Sequence, residues 1–268
     1  MRWSRPLALL VALGLLAFGS SAAAETITGT KRADRLSGTA RADVIRGGAG
    51  RDRIAGRRGR DRLIGGRGND RVRGDRGRDV VRGEAGNDLV QGGPDRDRVN
   101  GGRGNDRVGG GTGRDALRGR GGRDSLRGGT GDDRLNSDSG NDVLRGESGS
   151  DRLAAGSGND RLFGGLGADR LFAGPPAGAN GGDDLFGGAG SDKLRGDTGI
   201  DRVDGGTGND DLTGGRNEDD LIGGAGNDRI DARDGSEDTI DCGAGEDTVL
   251  VDFTEDGVTD CENVIGPP

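Results

Sequence analysis

Aliphatic side chains recur along this chain at one position in nine, and glycine, aspartate and arginine fill most of the positions between them. When a recurring aspartate is numbered position six of a nine-residue unit, position eight is Leu, Ile or Val in all 24 units, from Leu36 to Val249. Position one is Gly in 20 units, position four in 19 and position two in 13. A disordered Gly/Arg-rich segment would scatter its aliphatic residues, so the constant phase predicts stacked structural repeats.

Each unit divides into a turn and a strand. Positions seven to nine have the period of a short strand whose aliphatic side chain faces inward. The first six positions predict a turn in which glycine supplies positive φ, and at position four Asp95 and Asn217 are the replacements that tolerate it best. The phase is broken by a five-residue insertion at residues 173–177 and by one extra residue at about Ala232.

The consensus unit, GGxGxDxUx with U aliphatic, resembles the nonapeptide calcium-binding repeat of the RTX family. GGAGRDRIA (47–55), GGTGNDDLT (205–213) and GGAGNDRID (223–231) match it, and the resemblance covers essentially all of residues 25–250. It implies an all-β fold, a right-handed parallel β-roll of about 24 nonapeptide units in which consecutive units alternate between two sheets. It also implies calcium ions between the turns of units i and i+2, held by position-six carboxylates and turn carbonyls. Asp61 would then share an ion with Asp79.

The energetics of one unit also favour a bound ligand. Ordering nine residues costs on the order of 10 kcal/mol in backbone entropy, whereas burying one Leu or Val returns about 1.5 to 3 kcal/mol. Carboxylate and carbonyl oxygens suit a hard cation such as Ca²⁺. The chain has no His, and its repeats carry no sulfur ligand except Cys242, so softer metals are disfavoured.

The position-six aspartates are therefore the predicted calcium ligands. Asp34 and Asp43 are left out because arginine replaces their position-four glycine, and this end is expected to be a cap that begins at residues 26–28. Asp97, Asp219 and Asp238 are left out because they lie in weaker turns. The predicted metal ligands are Asp52, Asp61, Asp70, Asp79, Asp88, Asp106, Asp115, Asp124, Asp133, Asp142, Asp151, Asp160, Asp169, Asp183, Asp192, Asp201, Asp210, Asp228 and Asp247.

The N-terminal end has the features of a secretory signal peptide, residues 1–24. Arg2 and Arg5 precede an apolar run at residues 7–19, and the small residues Ala22–Ala24 form the cleavage site. The run is shorter than the ~20 residues that span a bilayer, so a transmembrane anchor is the weaker alternative. We therefore expect a secreted or cell-surface protein.

The C-terminal end carries both cysteines of the chain. In an exported protein, Cys242 and Cys261 are expected to form a disulfide, with two free thiols as the alternative. Residues 251–268 leave the nine-residue phase, which predicts a C-terminal cap pinned by this disulfide; a frayed tail is the alternative. The predicted organisation is thus a signal peptide, a β-roll over 25–250 and a cap.

Residue content limits the function classes. A chain without His or Tyr lacks the most common catalytic base, so we expect no enzyme. Arginine is frequent at positions seven and nine and would form basic ladders on both sheets, serving either to neutralise aspartates or to bind a polyanion. The prediction is a calcium-binding structural module, and the alternative is an arginine-rich adhesion module that binds acidic polysaccharide or another cell-surface polyanion. Nucleic acid is a weaker candidate because aromatic residues, which stack on bases, are few.

Overall fold

A computed structural model describes residues 24–176, 178, 181–252 and 257–266, and these residues form an all-β parallel solenoid. The predicted signal peptide, apart from Ala24, lies outside the described residues, as does Ala177 of the insertion. No helix in the described part of the chain has the length and apolar character that crossing a membrane requires.

The described residues contain 27 strands and no helix. The strands are β1 (Thr26–Thr28), β2 (Arg35–Ser37), β3 (Val44–Ala49), β4 (Arg53–Arg58), β5 (Arg62–Arg67), β6 (Arg71–Arg76), β7 (Val80–Ala85), β8 (Leu89–Pro94), β9 (Arg98–Arg103), β10 (Arg107–Thr112), β11 (Ala116–Gly121), β12 (Ser125–Thr130), β13 (Arg134–Ser139), β14 (Val143–Ser148), β15 (Arg152–Ser157), β16 (Arg161–Leu166), β17 (Arg170–Gly174), β18 (Asp184–Ala189), β19 (Lys193–Thr198), β20 (Arg202–Thr207), β21 (Asp211–Arg216), β22 (Asp220–Ala225), β23 (Arg229–Asp231), β24 (Thr239–Ala244), β25 (Thr248–Leu250), β26 (Gly257–Thr259) and β27 (Asn263–Ile265).

Consecutive strands alternate between two parallel sheets, as the resemblance implies. Odd-numbered strands form a sheet of 14 and even-numbered strands a sheet of 13. Each strand pairs with the strand two places further on, so that aliphatic residues stack on one another, as Val90, Val108 and Leu126 do in β8, β10 and β12. The insertion shifts this register: Arg161 of β16 pairs with Asp184 of β18.

The strands are longer than the sequence predicts. Most have six residues and span positions seven to nine of one unit and one to three of the next, so the turn is confined to positions four to six. In most strand pairs the pairing is interrupted at position one: Gly109 pairs with Arg127 and Gly111 with Gly129, whereas Gly110 has no paired partner. Position two continues the strand with a positive φ, which is 122° at Gly111 and 92° at Arg120.

The interior follows from the two-residue period of a strand. Positions six, eight and one face inward, and the intervening positions face outward. The aliphatic side chains at position eight are almost completely buried from Ile45 to Val249, whereas Leu36 in the first unit is half-buried. Position four has a positive φ in most turns, and Asp95 (81°) and Asn217 (83°) adopt it as predicted.

The C-terminal end confirms the predicted disulfide. Cys242 is buried in β24 and bonds to Cys261, which follows β26, with a Cα–Cα distance of 5.2 Å. Strands β26 and β27 pair in parallel with β24 and β25, so both sheets continue past residue 250. Phe253, which the sequence places in the alternation of the cap, lies outside the described residues.

Candidate metal centre

The position-six aspartates lie inside the solenoid, at the two edges where the chain passes from one sheet to the other. From Asp43 to Asp247 their exposed fractions are 0–3%. One carboxylate oxygen, Oδ1, accepts a hydrogen bond from the backbone N–H of the aspartate two units earlier: the Asp52 N–H donates to Asp70 Oδ1 at 2.7 Å, and the Asp61 N–H to Asp79 Oδ1 at 2.7 Å. The carboxylates thus form one ladder along each edge. The structure places Asp61 next to Asp79, the two aspartates that were expected to share an ion.

The second carboxylate oxygen, Oδ2, has no comparable partner. From Asp52 to Asp228, apart from Asp142, and again at Asp247, Oδ2 is buried and accepts no hydrogen bond from the described residues. Where position one is glycine, except at Gly178, Oδ2 faces the glycine of its own unit. A Cβ built on Gly65 would lie 2.6 Å from Asp70 Oδ2 and 2.8 Å from the carbonyl oxygen of Gly83, two units further on. A carboxylate oxygen and a carbonyl oxygen therefore converge on space that a side chain would fill.

Burial and neighbouring carboxylates disfavour the charged form of these aspartates. Burial raises the pKa of Asp97 to about 8, and the charges of Asp79 and Asp115 add to the shift. Burial likewise raises the pKa to about 8 at Asp183 and Asp219, and to about 7 at Asp79, Asp106, Asp133 and Asp169. Without a bound cation these carboxyl groups therefore resist ionisation at neutral pH, and a cation beside them would favour their charged form.

In the first two units, threonine side chains and backbone N–H groups donate hydrogen bonds to the aspartate Oδ2 atoms. Thr39 occupies position two, and both its N–H and its hydroxyl donate to Asp43 Oδ2, at 2.6 and 3.0 Å. Thr30 does the same for Asp34, at 2.6 and 2.9 Å. Burial raises the pKa of Asp43, but hydrogen bonds from Thr39 and Glu25 outweigh it and hold the pKa below its ordinary value. Sequence reasoning set these units apart by their position-four arginines and missed the threonines.

Position one distinguishes four other units. It is Ser137, Ala155, Arg233 or Cys242 instead of glycine, and Ser137, Ala155 and Cys242 are completely buried. The Ser137 hydroxyl donates to the carbonyl oxygen of Ala155 at 2.9 Å. Burial raises the pKa of Asp142, and the same hydroxyl opposes that shift. The choice of calcium ligands from the sequence considered the residue at position four and did not consider the residue at position one.

Asparagines at position five form a second ladder on the outside of the turns. Asn69 Oδ1 accepts from the Asn87 N–H at 2.9 Å, and Asn87 Oδ1 from the Asn105 N–H at 2.8 Å. The ladder ends where Arg123 N–H donates to Asn105 Oδ1 at 2.8 Å. These bonds tie successive turns together and leave the inner carboxylates unchanged.

The donor set at the turns suits a hard cation. Among the described residues no three acidic, His or Cys side chains come close enough to hold a metal on their own. An ion at this place would therefore combine carboxylate oxygen with backbone carbonyl oxygen, which is the mixture that Ca²⁺ accepts with six to eight ligands. The buried Oδ2 atoms and the space beside each position-one glycine fit such an ion.

The aromatic residues lie away from the turns. Phe163 and Phe186 stack on the outer face of the even-numbered sheet, with ring centroids 5.1 Å apart and planes at 8°. Arg145 lies over Phe163 at 5.0 Å, and Arg202 lies over Phe186 at 5.8 Å. Both phenylalanines stand at position nine of their units, and a guanidinium group packs against each ring of the pair.

Fold and site together define a parallel β-solenoid with buried carboxylates in its turns, and comparison with known families agrees. The model of the RTX calcium-binding nonapeptide repeat (4 copies) matches residues 28–63, 55–90, 73–108, 109–144, 145–175, 178–212, 186–221, 195–230 and 213–249. The chain belongs to this family. A search of curated proteins finds no match.

Proposed function

We propose that this chain is an exported, non-catalytic protein that binds several calcium ions in its turns and folds when they bind. The observation that carries the proposal is the contrast between two kinds of turn. Thr39 satisfies Asp43 Oδ2 with two hydrogen bonds, whereas the corresponding oxygen of Asp61, two units later, is buried without a donor. A divalent cation is the natural partner of such an oxygen beside a backbone carbonyl.

The proposed ligands are the predicted aspartates from Asp52 to Asp228 and Asp247, together with turn carbonyls. Asp97 and Asp219 join them, because their buried carboxylates and positive-φ turns match those of the other units. Units whose position-one residue has a side chain, those of Asp142, Asp160 and Asp247, are expected to bind more weakly. Calcium would supply positive charge to both ladders and cross-link stacked turns.

Binding and folding are coupled in this proposal. Without a cation, forming the solenoid buries carboxylates whose pKa values burial raises, as at Asp97 and Asp183 (each to about 8). A ligand that binds only the folded state stabilises it by about 2.7 kcal/mol per site at a hundredfold excess over Kd. Several such sites would add substantially to the stabilisation that one buried aliphatic residue per unit provides.

Two features of the chain support export and a non-catalytic role. The N-terminal segment carries a basic end, an apolar run and small residues in the order of a signal peptide, and the Cys242–Cys261 disulfide suits an oxidising compartment. The sequence has no His and no Tyr, and its buried aspartates are engaged in structural ladders rather than gathered at one reacting centre.

The test is a titration of the exported form, residues 25–268, followed by circular dichroism and calorimetry. We expect little regular structure in chelator, a cooperative gain of β-structure with calcium, and several ions bound per chain. Magnesium should substitute poorly, because its strict octahedral geometry is hard to meet with fixed carbonyls. A chain that is fully folded at neutral pH in chelator would contradict the coupling, and a chain that binds no calcium would contradict the proposal as a whole.

A further inference from the structure

The outer face of the odd-numbered sheet carries a basic groove of 610 Å³. Asn100, Asn136 and short apolar side chains line its floor, and no carboxylate is among the lining residues. Arginines supply its walls: Arg82, Arg98, Arg118, Arg120, Arg134 and Arg152. We call these residues the arginine groove.

The groove arises from the stacking register of β7, β9, β11 and β13. Arginine alternates between position nine and position seven from one strand to the next, as Arg82, Arg98, Arg118 and Arg134. The matching positions hold short side chains, namely Val80, Asn100, Ala116 and Asn136. Guanidinium groups thus follow a zigzag along the rod, with about 8 Å between successive Cα positions.

Most groove arginines have no charged partner in the part of the protein that the structure describes; Arg82 pairs with Glu84 at 3.8 Å, and Arg152 lies over the Phe172 ring at 4.6 Å. None of the ion pairs among the described residues involves Arg98, Arg118, Arg120 or Arg134. The even-numbered sheet differs at the same height, because Arg73 pairs with Asp75 at 3.2 Å and Arg127 pairs with Glu147. Neutralisation of nearby carboxylates therefore does not account for Arg98, Arg118, Arg120 and Arg134.

Charge is also distributed unevenly along the rod. Residues 25–130 carry 26 basic and 15 acidic side chains, whereas residues 131–268 carry 11 basic and 32 acidic ones. Some outward carboxylates of the acidic part form ion pairs within the chain, as Asp211 does with Lys193 and Arg229, and Asp184 with Arg161. Others, such as Asp220 and Asp241, form none with other described residues, so self-association is an outcome that the experiment below distinguishes from binding of an external polyanion.

We propose that the arginine groove binds an extended acidic polysaccharide along the axis of the solenoid. Charged groups on successive sugars would contact the zigzag of guanidinium groups, and the amides of Asn100 and Asn136 would contact hydroxyl groups. Nucleic acid fits less well, because no aromatic side chain lines the groove to stack on bases. The proposal does not depend on how many turns hold calcium.

The experiment compares two triple variants of the exported form in calcium. Arg98→Ser, Arg118→Ser and Arg134→Ser remove the groove charges. Arg53→Ser, Arg71→Ser and Arg107→Ser remove the same charge from the even-numbered sheet. Serine already occupies position seven at Ser125 and position nine at Ser37, so both variants should fold, and circular dichroism verifies this. Binding to immobilised heparin, to polygalacturonate and to single-stranded oligothymidine is measured at low and high salt.

The groove variant should lose about tenfold or more in heparin affinity, because three exposed ion pairs each contribute a factor of roughly two to three. The control variant should lose much less, and the arms with heparin and polygalacturonate show whether sulfate or carboxylate is preferred. Equal losses in both variants would overturn the proposal by showing a response to net charge alone. Tighter binding of oligothymidine through the groove, or salt-sensitive self-association that the groove variant abolishes, would replace the polysaccharide by nucleic acid or by a second copy.

Discussion

Two adjacent glycines of β10 provide a sharp test of the proposed metal centre. Gly109 lies at position nine and Gly110 at position one, and neither has a positive φ. An added Cβ on Gly109 would meet only Gln91 Cγ, at 3.9 Å, whereas one on Gly110 would lie 2.5 Å from Asp115 Oδ2 and 2.6 Å from the Gly128 carbonyl oxygen. Gly110→Ala therefore inserts a methyl group where the two oxygens converge, and Gly109→Ala is its control.

The magnitude follows from these distances. Ordinary contacts need about 3.5 Å, so the Gly110→Ala methyl group must displace both oxygens by about 1 Å. Overpacking of this kind costs about 1–3 kcal/mol, and Ala155 at the same position of another unit shows that the fold accommodates it. Gly109→Ala should stabilise by about 0.4–1 kcal/mol through the unfolded state. The two variants should thus differ by about 1.5–4 kcal/mol in the free energy of unfolding.

Calcium-dependent circular dichroism and calorimetry measure the outcome. Gly110→Ala should bind fewer ions and shift the calcium midpoint for folding upward, while Gly109→Ala keeps the wild-type stoichiometry. Identical stoichiometry and midpoint in both variants would refute the assignment of the ion to the space beside position one. A loss of stability in Gly110→Ala without any loss of calcium would show that the glycine serves packing alone.

Three further predictions follow from the same geometry. Burial raises the pKa of Asp79 from 3.8 to about 7 in the folded state, so the calcium-free solenoid binds more protons than the unfolded chain between these pH values and loses stability as pH rises through them. Circular dichroism in chelator should therefore show more structure at pH ~5 than at pH ~8, and the reverse order would contradict this. Ser137→Gly restores the glycine beside Asp142 and should raise the number of bound ions; unchanged calorimetric stoichiometry would count against it. Reducing the Cys242–Cys261 disulfide, which spans 19 residues, should cost about 3 kcal/mol and increase hydrogen exchange in β24–β27 only, because repeat stability is local; uniform exchange along the rod would contradict this.

The role of the aspartates could be anticipated only in part. The resemblance to the RTX repeat implies a shared cation between units i and i+2, and the structure places Asp61 against Asp79 and Asp70 against Asp88. Their inward orientation follows from parity, since position six has the same parity as the buried position eight. Extending the two-residue period of the strand back to position six would have predicted this inward orientation.

Other features depend on the stacking of units or on the path of the turn, which the sequence pattern does not specify. The hydrogen bonds from Thr39 to Asp43, the Ser137 bond to Ala155 and the asparagine ladder each involve an atom whose partner is set by stacking or by the path of the turn. The six-residue strands also exceed the prediction, because position two keeps pairing with a positive φ, as at Arg120 and Arg57. Local propensity argues against a strand there, and the neighbouring strands override it.

The nine-residue period by itself determined the repeat and the aliphatic column, because a unit with one buried side chain can persist only by stacking on its neighbours. The alternation of units between two sheets was implied by the resemblance to the RTX repeat. Tertiary structure decided which oxygens lack a donor and which arginines share a face. Arg98 and Arg118 lie two units apart in the sequence but on adjacent strands of the sheet, and only the register of β9 and β11 brings their side chains to one groove. The consensus repeat describes the typical unit, whereas binding depends on which particular side chains the stacking of units places next to one another.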